Sequence, residues 1–415
     1  GFQFLLALFL AITVLSFLVF IKKEKFRLYL IPVLLSFLSV LGFLGIRPQV
    51  ITVFFVVVLW KTLLGFLEKE EKGFQLIYLA PLLFVLWVNL HGGFVAGFFI
   101  LLLVLLLEVF KKTVFFKKLI SSKLFYGQHY IPRPTRKLFI LSAVLAFSFL
   151  ATLINPYGIR IYEEVFGVVG DSFLRFHIVE WLPLLFGNPS AFATIYLGFS
   201  LAILILPLRK DIEFTRLIVP TVFLALSFLN QRYFFIFAPL SIPTLIDAII
   251  AFNKKINPER VKMLFSGIGK WVILFFVFSL FFSGVFPIAK MILKEEKPLV
   301  YPEDAIPFLK TLSASENLFN DYGWGGYLIW KLPERKLFID GRMPSWRQNG
   351  QFVFGDYIKL AEAESGFKEL LDKYDIRIAL LKKGLKDEGL DFQNFNLKDK
   401  TKLQEFFMRF LNFID

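Results

Sequence analysis

Apolar residues fill the first two thirds of this 415-residue chain in long unbroken runs, and the runs stop at Ala289. A bilayer crossing takes about 20 mostly apolar residues, because lipid offers the backbone no hydrogen-bond partner and a helix supplies its own. The pattern predicts an all-α polytopic membrane bundle of about ten transmembrane helices over residues 1–289. The expected spans are Phe2–Ile21, Leu28–Leu44, Val50–Leu67, Phe74–Val88, Phe94–Phe110, Leu138–Ile154, Ala191–Leu208, Leu217–Leu229, Tyr233–Ile250 and Trp271–Ala289. Residues 290–415 break the pattern and read as a small α/β soluble domain. Helices are expected over Glu303–Leu312, Tyr327–Lys331 and Phe354–Tyr374. Strands are expected at Asn317–Phe319, Lys336–Ile339 and Arg377–Leu381, the last fully buried, in a mostly parallel sheet.

Composition agrees with that division. Hydrophobic residues make up 57% of the chain and charged ones 19%, against about 45–50% and 25% for soluble proteins. The net charge of +14 lies wholly ahead of Lys290, since the tail from Lys290 onward holds 20 basic and 20 acidic residues. Among the loops, one alternate set carries 22 Lys and Arg and the other carries 4. Basic charge confined to alternate loops is a topology signal, which excludes nucleic acid as the partner and puts the basic set in the cytoplasm. The basic loop at Lys111–Lys137 is then a topology anchor on anionic lipid. Gly1 and the tail fall on the outer face. The sequence opens without a signal-peptide pattern, and this topology expects an odd number of spans ahead of Gly1. With no cysteine, the outer domain is expected to hold no disulfide.

Polar residues at span ends carry the chemistry, because each is costly in or near lipid unless partnered. They collect at the expected outer face: Arg47 and Gln49, Asn89 and His91, Asn155 and Tyr157, His177, Glu180 and Trp181, and Arg232. Arg47 and Arg232 suit either snorkelling to headgroups or clamping a phosphate. His91 suits a phosphate donor, a proton carrier or a metal ligand. Asn155-Pro156-Tyr157-Gly158 is good turn chemistry. Glu180 beside Trp181 pairs a carboxylate with an aromatic platform of the kind that stacks on sugars. Together these groups suit the phosphate of a lipid carrier whose tail stays in the bilayer. In the tail, Asp340 and Arg342 are expected to pair and fix two loops, with Gly325 and Gly326 giving room for close packing.

The order Arg47-Pro48-Gln49, Trp87-Val88-Asn89-Leu90-His91-Gly92-Gly93-Phe94, Asn155-Pro156-Tyr157-Gly158 and Glu180-Trp181 resembles bacterial membrane proteins of the GT-C glycosyltransferase-like class. The tail segments Phe319–Trp330 and Phe338–Arg342 resemble the outer domain such proteins often carry. The resemblance implies transfer of a sugar from a polyprenyl-phosphate carrier to an acceptor on the outer face of the cytoplasmic membrane. On that reading Glu180 and His91 are the catalytic candidates. Arg47, Gln49, Asn89, Asn155, Tyr157, His177, Trp181 and Arg232 would bind substrate, and a divalent metal is one option for a cofactor. The class usually places its base or metal ligand on an acidic residue of the first outer loop, which this sequence does not include. Two alternatives stand beside it: an O-antigen-ligase-like transfer from a lipid diphosphate, and a non-enzymatic transporter or scaffold for envelope polysaccharide.

Overall fold

The computed structural model describes residues 2–21, 26–40, 47–68, 76–122, 125–178, 181–184, 193, 196–198, 200–201, 210–255, 301–342, 345, 347 and 351–381. The chain divides into two compact units, Gly1–Lys290 and Met291–Asp415.

The first unit is helical throughout its described elements. Gln49–Glu68 and Thr135–Thr152 are long and apolar enough to cross a bilayer, and at 1.5 Å per residue the former covers about 30 Å. Two bent pairs bring the number of candidate crossings among the described residues to four, if each pair serves as one. In one pair, Arg232–Leu240 and Ile242–Phe252 meet at 45°. Pro243 lacks the N–H that would bond back to Pro239, and its ring crowds the carbonyl one turn earlier. In the other, Val114–Ile120 turns 85° away from Phe94–Phe110, restarted by Thr113, whose hydroxyl accepts from the Phe116 N–H. Its exposed Val114 and Phe115, with Lys117 and Lys118 in the last turn, suit a helix lying in a membrane interface. Shorter apolar helices run over Phe2–Leu18, Phe26–Ser39, Ala80–Leu90 and Phe214–Ser227. The expected tenth span and most of the seventh lie outside the described residues.

This unit turns apolar side chains outward. Phe139, Phe147, Leu82 and Leu106 are exposed, whereas Thr152, Thr215, Ser148 and Ser227 are buried. Small polar groups at helix contacts and large apolar groups outside are what a lipid surround selects. The strongly polar contacts fall in two layers at opposite helix ends. At one end Lys111 bonds Glu108 at 2.8 Å and Glu213 at 2.5 Å, and Thr215 donates to Glu108 at 2.7 Å. Beside them Arg216 pairs with Asp247 at 2.6 Å and with Glu68, and Lys137 caps the carbonyls of Phe66 and Leu67. The other layer lies at the starts of the Gln49–Glu68 and Phe94–Phe110 helices. Along either helix the separation is about 24 Å. Between them Trp60, Trp87, Phe84, Phe94, Phe223 and Phe234 fill one apolar core.

The second unit packs helices against a small parallel sheet. Asn317–Asn320 pairs with Ile376–Leu380, and Leu337 adds a single parallel bridge to Leu318. The expected Lys336–Ile339 strand is thus one bridge, and the Ile376–Leu380 strand is half-buried rather than fully buried. The expected Phe354–Tyr374 helix is two, Val353–Ala361 and Phe367–Lys373, parted where Ala363 (φ 51°) and Gly366 (φ 87°) turn left-handed. The link between the loops is Asn320, fully buried. Its amide donates to Ile339 O at 2.9 Å and its Oδ1 accepts from the Phe338 N–H at 3.1 Å. Asp340 and Arg342 do pair, at 2.8 and 2.9 Å, but within one loop, with Arg342 largely exposed. Gly325 is the glycine that packing requires: an added Cβ would lie 2.6 Å from Asp340 Cα, while Gly326 faces open space. Arg335, buried at the core edge, donates to the carbonyls of Leu309, Leu312 and Glu316 and so closes the end of the Ala305–Thr311 helix.

Candidate functional site

Arg47, Gln49 and Arg232 sit where two helices begin. Pro48 lacks an N–H and holds its φ near helical values, so the Gln49–Glu68 helix starts there. The carbonyls of Arg47 and Pro48 accept its first backbone bonds, from Val50 and Ile51. The Arg232–Leu240 helix starts with Asn230 Oδ1 accepting from the Arg232 N–H at 2.9 Å. Arg47, Gln49 and Arg232 then line one small cleft with about 40 Å³ of free space. Phe17, Val40 and Phe235 supply apolar walls. Two helix N-termini with two guanidinium groups favour an anion, since the orphan N–H groups and the dipole carry partial positive charge. Among the described residues that line it, none is acidic. Gln49 Oε1, buried there, finds no donor among the described residues.

Trp181 is brought to Arg232 by backbone hydrogen bonds. Leu184 N–H donates to Ser227 O at 3.1 Å and Gln231 N–H to Leu182 O at 2.8 Å, pinning the 181–184 segment to the turn before the helix. The Arg232 guanidinium lies 4.6 Å from the Trp181 ring centre, and the indole is buried. That stacking holds the guanidinium plane in place.

His91 occupies the turn between Ala80–Leu90 and Phe94–Phe110, partly buried. Its Nδ1 lies 2.7 Å from Thr52 Oγ1, which itself accepts from the Trp87 indole N–H at 2.9 Å. Gly93 packs so closely there that an added Cβ would strike the Thr52 hydroxyl. Burial first, and then the charge of Arg232, hold the imidazole pKa down to about 4. His91 is not among the residues that line the cleft.

The remaining candidates have local partners. Asn89 spends its amide on Val85 O and Ile154 O, both at 2.8 Å, and so ties two helix ends together. Asn155 closes its own turn, donating to Thr152 O and Gly158 O and accepting from the Tyr157 N–H; the Tyr157 side chain is exposed. His177 donates from Nδ1 to Phe173 O at 2.8 Å and stacks on that ring at 4.0 Å. Glu180 lies outside the described residues. Among the described residues no three His, Asp or Glu side chains converge as a metal ion needs, so this part of the site does not fit a metal. Sequence reasoning missed Thr52 and named Trp87 only within a motif, with no role of its own. The available signal was a lone hydroxyl within the Val- and Phe-rich run from Val50 to Val58. No known protein family, curated protein or solved structure matches the chain.

Proposed function

We propose that the cleft at Arg47, Gln49 and Arg232 binds the phosphate of a polyprenyl-phosphate-linked sugar, and that the protein transfers that sugar to an acceptor as a GT-C-type membrane glycosyltransferase. In this reading the first unit crosses the cytoplasmic membrane about ten times, the cleft opens on the outer face, and the tail domain lies outside. One observation carries the binding step: two arginines at two helix starts share a cleft with apolar walls, matching an anionic headgroup on a long apolar tail. The guanidinium groups offset charge on the phosphate as the glycosidic bond breaks, and Gln49 Oε1 accepts from a sugar hydroxyl. Glu180 is the acidic side chain nearest in sequence to the Trp181–Arg232 stack and the first choice for activating the acceptor.

The test is release of radiolabelled sugar from polyprenyl-phosphate-sugar by the purified protein in proteoliposomes. Arg47→Gln and Arg232→Gln should each lower turnover at least tenfold, and Glu180→Gln should lower it with donor binding kept. Donor binding without turnover would instead make the chain a non-enzymatic carrier scaffold.

A further inference from the structure

Ala80–Leu90 and Thr135–Thr152 pack side by side. Asn89 donates to Ile154 O at 2.8 Å, which joins their C-terminal ends, so the two helices run parallel. Between them lies a groove with about 680 Å³ of free space, far roomier than the Arg47–Arg232 cleft. Among the described residues its lining is hydrocarbon apart from the Tyr78 hydroxyl. From Phe139 to Ala151 it follows the helix for about 18 Å, close to the roughly 15 Å of hydrocarbon in one leaflet. Its rims are bulky: Leu82, Phe139, Phe147 and Leu150 are all exposed.

Helix periodicity gives this groove a charged end. Arg136, Ile140, Ala143, Phe147 and Leu150 recur at alternating steps of four and three, so the exposed Arg136 heads the stripe that lines the groove. Helical side chains lean toward the N-terminus, which carries this guanidinium away from the apolar lining and toward the bilayer surface. Beside it, exposed Lys112 donates to Thr135 Oγ1 at 2.9 Å. The neighbouring cations are turned elsewhere: Lys137 caps Phe66 and Leu67, and Lys111 bonds Glu108 and Glu213. Glu68 and Asp247 are matched by Arg216. We infer that the groove holds one anionic phospholipid, with an acyl chain between the two helices and its phosphate against Arg136 and Lys112. This site needs the first unit to lie in a bilayer and is independent of the cleft at the opposite helix ends. Charge and length select the occupant. Two cations at one end favour an anionic headgroup over a zwitterionic one. A polyprenyl chain would far outrun an 18 Å groove. A second copy of the chain would need small residues for close helix contact, and the rims here are Phe and Leu.

The test is native mass spectrometry of the delipidated full chain, with phosphatidylglycerol and phosphatidylcholine of identical acyl chains as probes. Wild-type protein should retain one phosphatidylglycerol about tenfold more tightly than phosphatidylcholine. Arg136→Gln with Lys112→Gln should erase that preference, and because both side chains are exposed the variant keeps its fold. Ala143→Phe, which fills the groove, should weaken retention of both lipids, whereas Ala143→Ser should not. Arg47→Gln with Arg232→Gln should leave phosphatidylglycerol retention unchanged, which separates this site from the cleft. Equal retention of the two lipids by the wild type, or a preference that survives loss of both cations, would overturn the inference. So would a polyprenyl phosphate that displaces phosphatidylglycerol from the wild type, or a dimer in nanodiscs that Ala143→Phe breaks.

Discussion

Acid should weaken the first unit through His91. The folded imidazole has its pKa lowered from 6.5 to about 4, so folding disfavours its charged form. Above pH 6.5 both states are neutral and the group is without effect. Between pH 6.5 and 4 the unfolded chain binds a proton that the folded one refuses, so stability falls as pH falls. Below about pH 4 the loss is complete. A shift of that size corresponds to about 3 kcal/mol, and screening at a ring only partly buried trims it to about 2. For a unit of this length that is a drop of about 4–8 °C in Tm. The assay is thermal unfolding of the wild type and of His91→Gln in nanodiscs from pH 7.5 to 4. Taking the difference between the two proteins removes groups that titrate in both. The wild-type advantage should shrink steadily as pH falls below 6.5. An advantage that stays constant, or grows toward pH 4.5, would refute the assigned environment of His91.

Other outcomes follow from buried contacts. Lys111→Met should cost about 3–5 kcal/mol, because it strands Glu108 and Glu213 at that end of the helices; adding Glu108→Gln should recover part of that, read from denaturation midpoints. In the tail unit, Gly325→Ala should cost about 1–3 kcal/mol by driving a methyl into the Asp340 backbone, whereas Gly326→Ala should be near neutral. Arg335→Ala should cost at least about 2 kcal/mol by orphaning the Leu309, Leu312 and Glu316 carbonyls, and hydrogen exchange should rise in the Ala305–Thr311 helix.

Helix positions were legible where apolar runs were long: Gln49–Glu68 and Thr135–Thr152 lie close to their expected limits. Breaks inside such runs were harder to read, because hydropathy does not register what Pro243 and Thr113 do to backbone bonds. The Ile161–Gly170 and Ser172–His177 helices were read as loop, although Glu163 and Glu164 in a first turn and Asp171 as a cap were available signals. In the tail, the parallel pairing was legible and the helix break at Gly366 was not, since amphipathic spacing ran past it. Within the candidate site, the sequence singled out Arg47, Gln49 and Arg232 through the cost of polar groups at span ends. It could not separate them from Asn89 and Asn155, whose amides serve neighbouring carbonyls, because that distinction depends on which helix ends meet. Thr52 escaped notice, and Trp87 was given no role, for the same reason: their contact exists only once two helices are packed.

The binding of a phosphate-bearing lipid is the claim on which the account turns, and native mass spectrometry of the delipidated full chain measures it directly. Wild-type protein should retain one polyprenyl phosphate and not the corresponding prenol. The doubly substituted Arg47→Gln, Arg232→Gln protein should lose that preference while keeping its fold. Equal retention of phosphate and alcohol by the wild type, or unchanged preference in the double variant, would contradict a phosphate site in the cleft.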